Sequence, residues 1–262
     1  MLTPKERERY RRQMQLPELG ESGQNALKHA TALVSGVGGL GGTVALYLAV
    51  AGIGKLILVR GGNLRLDDMN RQILMTDDWV GQLRVTKAQE TLTQINPDVE
   101  VDAIAQYITP DNVDGLVQQA DIALSCAHNF PERDLLNAAC VDGNKPMIEA
   151  AMNSMEAYLT AIVPGKTPCL SCLFPQKPDW DRRGFGVLGA VSGTLACLTA
   201  LEAIKVITGL GKPLFGYLLN MDLANSEFRK LHLYKDPNCP VCGQSGTNVT
   251  PPRAQNMVSI CP

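Results

Sequence analysis

Short runs of apolar residues alternate with segments of helical periodicity along the first 150 residues of this 262-residue chain. The apolar runs predict β-strands, and the periodic segments between them predict α-helices. The strands are expected at residues 30–35, 55–60, 99–103, 121–126 and 146–150, and the helices at residues 43–51, 84–95, 112–119 and 132–141. Strands that alternate with helices in this way indicate an α/β fold, in which helices cover both faces of a parallel sheet.

The pattern changes in the second half of the chain. The expected elements there are a strand at residues 156–163, a long buried helix at residues 187–207, and neighbouring strands at residues 215–222 and 227–234. They indicate that a mixed or antiparallel C-terminal lobe continues the sheet. After Gly243 the composition shifts to Ser, Thr, Asn, Pro and Gln, which predicts a disordered tail over residues 244–262.

Composition narrows the class of protein. The chain is 45% hydrophobic, and 24 basic residues against 26 acidic ones give a net charge of −2. This balance offers no basic surface for nucleic acid. Apolar stretches are interrupted before the ~18 residues that a membrane-spanning helix needs, and the charged N-terminus does not resemble a signal peptide. We therefore expect a cytoplasmic protein that binds neither nucleic acid nor a membrane.

A glycine-rich loop follows the first predicted strand. Gly36, Gly38, Gly39 and Gly41 form a GxGGxG pattern between that strand and the next predicted helix. Strand, loop and helix in this order allow backbone amides and a helix N-terminus to bind a diphosphate. We therefore expect residues 1–150 to form a nucleotide-binding half with a Rossmann-like sheet.

The residue that ends the second predicted strand bears on the identity of the nucleotide. In dinucleotide-binding folds an acidic residue here binds the ribose hydroxyls, whereas an arginine accepts a 2′-phosphate. Arg60 occupies this place, which by itself favours NADP and an oxidoreductase. The alternative is that Arg60 simply forms an ion pair with a carboxylate such as Asp67 or Asp68.

Four of the eight cysteines form two CxxC pairs, Cys169 with Cys172 and Cys239 with Cys242. In a reducing compartment this spacing favours a metal over disulfides. Four thiolates complete a tetrahedral zinc site, so we expect a structural zinc ion here. It is expected to stabilise residues 151–243, which form the second half of a single domain over residues 1–243. The other cysteines are expected to be core thiols (Cys126, Cys140 and Cys197) and a passive tail thiol (Cys261).

A series of short motifs resembles the ThiF/MoeB/E1-like superfamily. The motifs are Arg-Tyr-x-Arg-Gln (9–13), Ala-Gly-Ile-Gly (51–54), Asn-Arg-Gln (70–72), Val-Gly-Gln (80–82), Ile-Asn-Pro (95–97) and Leu-Glu-Ala-Ile-Lys (201–205). Together with the glycine loop and the CxxC pairs, they extend the resemblance over residues 2–244. The passages at 58–62, 66–72, 77–79 and 126–130 are most similar to HesA-like members of the superfamily.

The resemblance implies a function. Superfamily members adenylate the C-terminus of ubiquitin-like sulfur carriers, so an ATP-dependent adenylyltransferase and a homodimer are expected. HesA-like similarity implies sulfur or molybdenum supply to nitrogenase cofactor assembly. By the same resemblance Arg71 contacts the ATP phosphates, and Arg12 reaches those of the partner protomer. A non-catalytic ATP-binding factor for metal or sulfur trafficking is the alternative.

Several positions depart from the superfamily's pattern. Arg60 and Gly62 stand where an Asp-x-Asp pair normally binds the ribose, Asp68 replaces an Asn, and Arg84 replaces a phosphate-binding Lys. His128 replaces the Asp that helps to place Mg²⁺, and imidazole is a poor ligand for this ion. His128 is instead a candidate acid or base. The resemblance thus implies ATP with Mg²⁺, while the changed residues argue against ordinary Mg²⁺ binding. Asp67 and Asp68, close to these positions in sequence, are alternative carboxylates for the ion.

Overall fold

A computed structural model describes residues 1–177 and 186–243 of the chain. The tail at residues 244–262, with Cys261, lies outside the described residues. The strands are β1 (Thr31–Ser35), β2 (Lys55–Val59), β3 (Glu100–Ile104), β4 (Ile122–Ser125), β5 (Met147–Asn153), β6 (Glu156–Ile162), β7 (Tyr217–Asp222) and β8 (Glu227–His232). The helices are α1 (Pro4–Arg9), α2 (Arg11–Met14), α3 (Gly20–His29), α4 (Gly39–Ala51), α5 (Arg84–Ile95), α6 (Val113–Gln118), α7 (Phe130–Asp142), α8 (Leu170–Leu173) and α9 (Gly189–Thr208).

The described strands form one continuous sheet in the order β3-β2-β1-β4-β5-β6-β7-β8. The first five strands in the chain are parallel, whereas β6, β7 and β8 pair antiparallel with their neighbours. Strands β5 and β6 form a tight hairpin, in which Asn153 pairs with Glu156. The predicted α/β class is therefore confirmed, and the C-terminal lobe extends the same sheet.

Helices cover both faces of the parallel part of the sheet. Alternate residues of β1 enter opposite cores, because neighbouring side chains of a strand point to opposite faces. Val34 packs with α4, α5 and α9 on one face, while Leu33 packs with α6, α7 and α8 on the other. This two-sided burial explains why the parallel strands are continuous apolar runs.

Helix α9 is one helix in the described part of the chain whose length and apolar composition would suffice to cross a membrane. It packs against α4 and against β5 and β6, and Leu195, Ala196 and Ala203 on its inner side are buried. Core packing therefore accounts for its apolar inner side. The prediction that Cys197 is a core thiol is wrong, because Cys197 lies on the outer side of α9 and is exposed.

Candidate nucleotide-binding cleft and metal site

A cleft of about 450 Å³ opens at the carboxyl ends of β1, β2 and β4. This is where the strand order reverses, since β2 and β3 lie to one side of β1 while β4 and β5 lie to the other. Ligands of open α/β sheets bind at such a switch point, because the connections on its two sides leave toward opposite faces. The cleft therefore lies where the topology predicts a ligand site.

The glycine loop forms one wall of the cleft. Gly36, Gly38 and Gly39 line it, and α4 begins at Gly39 with Gly38 as its N-cap. Gly36 has a φ of +93°, which L side chains rarely adopt. Gly41 does not line the cleft; a Cβ atom there would lie 1.7 Å from the carbonyl oxygen of Gly36. The loop therefore packs tightly against the first turn of α4, and the N-terminus of this helix, where free N–H groups can bind an anion, lies at the cleft.

Asp68 joins the two predicted phosphate-binding arginines. Its Oδ1 accepts a hydrogen bond of 2.8 Å from Nη2 of Arg71, and its Oδ2 lies 3.3 Å from Nη2 of Arg84. Nε of Arg84 also donates to the carbonyl oxygen of Gly62 at 3.3 Å. The Asp68 carboxylate is 9% exposed. Both guanidiniums are thus held at the cleft by one buried anion.

Arg60 and His128 contact each other across the cleft. Nη1 of Arg60 lies 2.7 Å from Nδ1 of His128, and its guanidinium lies 5.3 Å from the centroid of the Tyr107 ring. A guanidinium only donates hydrogen bonds, so Nδ1 is the acceptor and we assign the proton of a neutral imidazole to Nε2. The expected alternative partner of Arg60 is engaged elsewhere, since Asp67 accepts from Nε of Arg65 at 2.9 Å.

Arg12 is separate from the other predicted site residues. Its side chain is exposed on α2 and does not line the cleft of its own chain. The cleft is lined instead by the other predicted residues, namely Arg60, Arg71, Arg84 and His128. A contact between Arg12 and a bound nucleotide would therefore have to be made in a second copy of the chain.

The sequence interpretation missed Arg133, which also lines the cleft. Its guanidinium forms a buried ion pair with Glu149 and donates to the carbonyl oxygen of Ala150 at 3.0 Å. The hydroxyl of Tyr158 donates to the same Glu149 carboxylate at 3.1 Å. Burial raises the pKa of Glu149, and the charge of Arg133 opposes this rise. The position of Arg133 in the first turns of α7, just after His128, is the signal that would have identified it.

Tyr107, Arg65 and Cys126 are further cleft residues that were not predicted as site residues. Tyr107 follows β3, and Arg65 follows β2, so both come from the edge of the sheet where α/β sites lie.

Burial raises the pKa of the Cys126 thiol, which also lines the cleft, to about 12. Cys126 therefore stays protonated at neutral pH and is a poor nucleophile.

The two CxxC pairs meet in one cluster. The four sulfur atoms of Cys169, Cys172, Cys239 and Cys242 lie within 4.8 Å of one another. Three of the Sγ–Sγ distances are 3.4, 3.6 and 4.0 Å. A tetrahedral zinc ion with Zn–S bonds of about 2.3 Å requires separations of about 3.8 Å. The sulfurs are thus too far apart for disulfides and well spaced for zinc.

The protonation state that the cysteine cluster favours also suits a metal ion, because thiolates rather than thiols bind metals. Hydrogen bonds between Cys169 and the thiols of Cys172 and Cys242 lower the pKa of the Cys169 thiol, so the arrangement favours a thiolate there. Three of the four cysteines are buried, and the fourth, Cys172, is partly buried. A four-thiolate site leaves no position for a substrate, so the cluster fits a structural zinc ion.

The fold and the cleft define an α/β protein with a cleft suited to a nucleotide and a cluster of four cysteines suited to a metal ion. The model of the ThiF family matches residues 10–241, and the chain belongs to this family. It is 71% identical over 242 residues to the protein HesA, heterocyst, of Trichormus variabilis, covering 92% of this chain and 91% of that protein. The predicted superfamily is thereby confirmed.

Two further relatives bear on the activity of the family. The sulfur carrier protein adenylyltransferase of Thermus thermophilus is 38% identical over 257 residues, which are 94% of each chain. The crystal structure of Escherichia coli MccB with ATP has a TM-score of 0.80 and 27% identity, covering 90% of this chain and 75% of that one. Both similarities extend across nearly all of the fold described above.

Proposed function

We propose that this chain is an ATP-dependent, E1-like adenylyltransferase that activates the C-terminal carboxylate of a small sulfur-carrier-like protein. The observation that carries the proposal is the cleft itself, in which the N-terminus of α4 faces Arg71 and Arg84. Similarity to the sulfur carrier protein adenylyltransferase over nearly the whole chain supports the activity. The MccB structure with ATP supports the nucleotide.

The residues of the cleft suit this reaction. A carboxylate oxygen of the carrier attacks the α-phosphorus of ATP, and the bond between the α-phosphorus and the bridging oxygen breaks to release pyrophosphate. Negative charge grows on the leaving pyrophosphate, and guanidiniums fixed beside it stabilise that charge. Asp68 holds Arg71 and Arg84 in place for this role. The step transfers no proton, so it does not need His128 as an acid or base.

The further assignments extend this proposal. We propose a homodimer in which Arg12 of one protomer contacts the phosphates bound by the other, because Arg12 is exposed and outside its own cleft. Residues 1–150 serve as the nucleotide-binding half, and the zinc ion stabilises residues 151–243. The 71% identity to HesA supports a role in nitrogen fixation, in which sulfur or molybdenum is supplied to nitrogenase cofactor assembly.

A non-catalytic ATP-binding factor is the second candidate, because Arg60 and His128 replace two acidic residues of the superfamily's site. ATP–pyrophosphate exchange separates the two candidates. We expect exchange that depends on a carrier protein ending in Gly-Gly and that is absent when the final glycine is removed. ATP binding without any exchange would favour the binding factor. Tight NADPH binding without affinity for ATP would contradict both candidates and support the dinucleotide hypothesis raised by Arg60.

A further inference from the structure

The carboxylates that line the cleft are already bound by guanidinium groups. Among the described residues lining it, the acidic ones are Asp67 and Asp68. Asp68 bonds to Arg71 and Arg84, and its Oδ2 also accepts the backbone N–H of Arg65 at 3.1 Å. Both oxygens of Asp67 face the Arg65 guanidinium, which lowers the pKa of this carboxyl group. Neither aspartate offers Mg²⁺ a carboxylate without a cationic partner.

The pair formed by Arg60 and His128 is a second obstacle to a divalent cation. Mg²⁺ prefers oxygen ligands in octahedral geometry. A cation beside this pair would instead meet a guanidinium that is fixed between the imidazole and the Tyr107 ring. The Nδ1 lone pair of His128 already accepts the hydrogen bond from Arg60. The described residues of the cleft therefore do not fit a protein-bound Mg²⁺ ion.

The charge of the cleft indicates what takes the place of the metal. Among the described residues that line it, Arg60, Arg65, Arg71 and Arg84 outnumber Asp67 and Asp68, while the charge of Arg133 is compensated by the buried Glu149. A nucleoside triphosphate without its metal carries two more negative charges than its magnesium complex, so this basic cleft attracts it more strongly. We infer that the cleft binds the triphosphate as the metal-free polyanion, with arginine side chains in place of Mg²⁺. This inference rests on the proposed function, because it concerns how the same cleft recognises ATP.

Calorimetric titration of the full chain with ATP tests the inference. One titration uses magnesium-depleted buffer and the other a millimolar excess of Mg²⁺, and no chelator is added, so zinc at the cysteine cluster is retained. We expect the Kd without Mg²⁺ to be lower than, or within about twofold of, the Kd with Mg²⁺. If Mg²⁺ lowers the Kd by more than about twofold, the inference is wrong, whereas the proposed function is not affected. An absence of ATP binding in both buffers overturns the proposed function together with it.

A variant that restores acidic groups provides the complementary test. Arg60→Asp combined with His128→Asp should bind ATP at least about tenfold more tightly with Mg²⁺ than without it, a difference of about 1.4 kcal/mol. The control is Arg229→Asp combined with His232→Asp, which makes the same substitutions on β8, at the far edge of the sheet.

The control variant should show the same response to Mg²⁺ as the unmodified chain. If the cleft variant also lacks a magnesium dependence, Arg60 and His128 do not exclude the metal and the inference is wrong. Circular dichroism checks that both variants are folded. Should the cleft variant fail to fold, the two titrations of the unmodified chain decide the question by themselves.

Discussion

Replacing Arg133 with methionine would leave Glu149 as a buried carboxylate without its guanidinium partner. The two side chains are 4% and 0% exposed, so water cannot take the place of the lost ion pair. Removing one partner of such a pair costs about 3–5 kcal/mol. The hydroxyl of Tyr158 remains as one hydrogen-bond donor, which favours the lower part of this range. At about 2–4 °C per kcal/mol for a chain of this size, Arg133→Met should lower Tm by about 6–20 °C.

The pH dependence of this loss identifies its cause. Burial already raises the pKa of Glu149, and removal of Arg133 raises it further because the opposing charge is gone. A carboxyl group whose pKa is higher in the folded state than in the unfolded state binds more protons when folded. Stability is therefore retained below the unfolded pKa, near 4.3, and lost as the pH rises through the folded pKa. The deficit of Arg133→Met should be largest near pH 8 and shrink near pH 5.

Thermal unfolding followed by circular dichroism, in zinc-containing buffer at both pH values, measures these effects. Arg133→Met combined with Glu149→Gln removes the buried charge, and it should recover most of the lost stability at pH 8. The matched surface control is Arg229→Met, whose partner Glu227 is 49% exposed and whose loss should cost at most about 1 kcal/mol. An Arg133→Met deficit that is equal at both pH values would refute the explanation by an uncompensated Glu149 charge.

Three further substitutions test the cleft and the cysteine cluster. Gly41→Ala places a Cβ atom 1.7 Å from a carbonyl oxygen, so it should destabilise the chain by about 1–3 kcal/mol and weaken ATP binding. Gly193→Ala, with open space at its Cβ position, should leave calorimetric ATP binding unchanged. Cys242→Ser should reduce zinc measured by mass spectrometry from about one per chain to near zero, whereas Cys197→Ser should retain it. Arg71→Met should raise the Kd for ATP about tenfold or more, through loss of a charged hydrogen bond worth about 1.5–3 kcal/mol; an unchanged Kd would contradict its assignment to the phosphates.

Local sequence patterns were sufficient to predict most of the sheet. The parallel strands were recognised because burial on both faces makes each one an apolar run. Helix α4 was expected to begin at residue 43 but begins at Gly39, because its first turn is rich in glycine, a poor helix former that does not mark a helix in the sequence. Helix α3 was missed, since few of its residues are apolar. It is held in part by the buried Gln24, which donates to the carbonyl oxygen of Ala51, and apolar periodicity does not report such a contact.

The components of the candidate site differ in how far the sequence predicts them. The glycine loop and the CxxC pairs are visible because their residues are neighbours in the chain. Arg133 and Tyr107 lie near the loop only because the strand order brings the ends of β3 and β4 to one edge of the sheet. The contact between Arg60 and His128 could not be predicted from local sequence, because the two residues are 68 positions apart.

The position of Arg60 and His128 on either side of β1 explains why their substitutions belong together. Arg60 follows β2 and His128 follows β4, so both side chains reach over the loop that ends β1. If position 128 were Asp, its carboxylate would form an ion pair with Arg60 over the loop. This ion pair would neutralise the charge of the arginine. A neutral imidazole acceptor at 128 brings no negative charge to its contact with Arg60. The charge that arginine brings to the cleft thus depends on the histidine, and we expect effects of the two substitutions on ATP affinity to be non-additive.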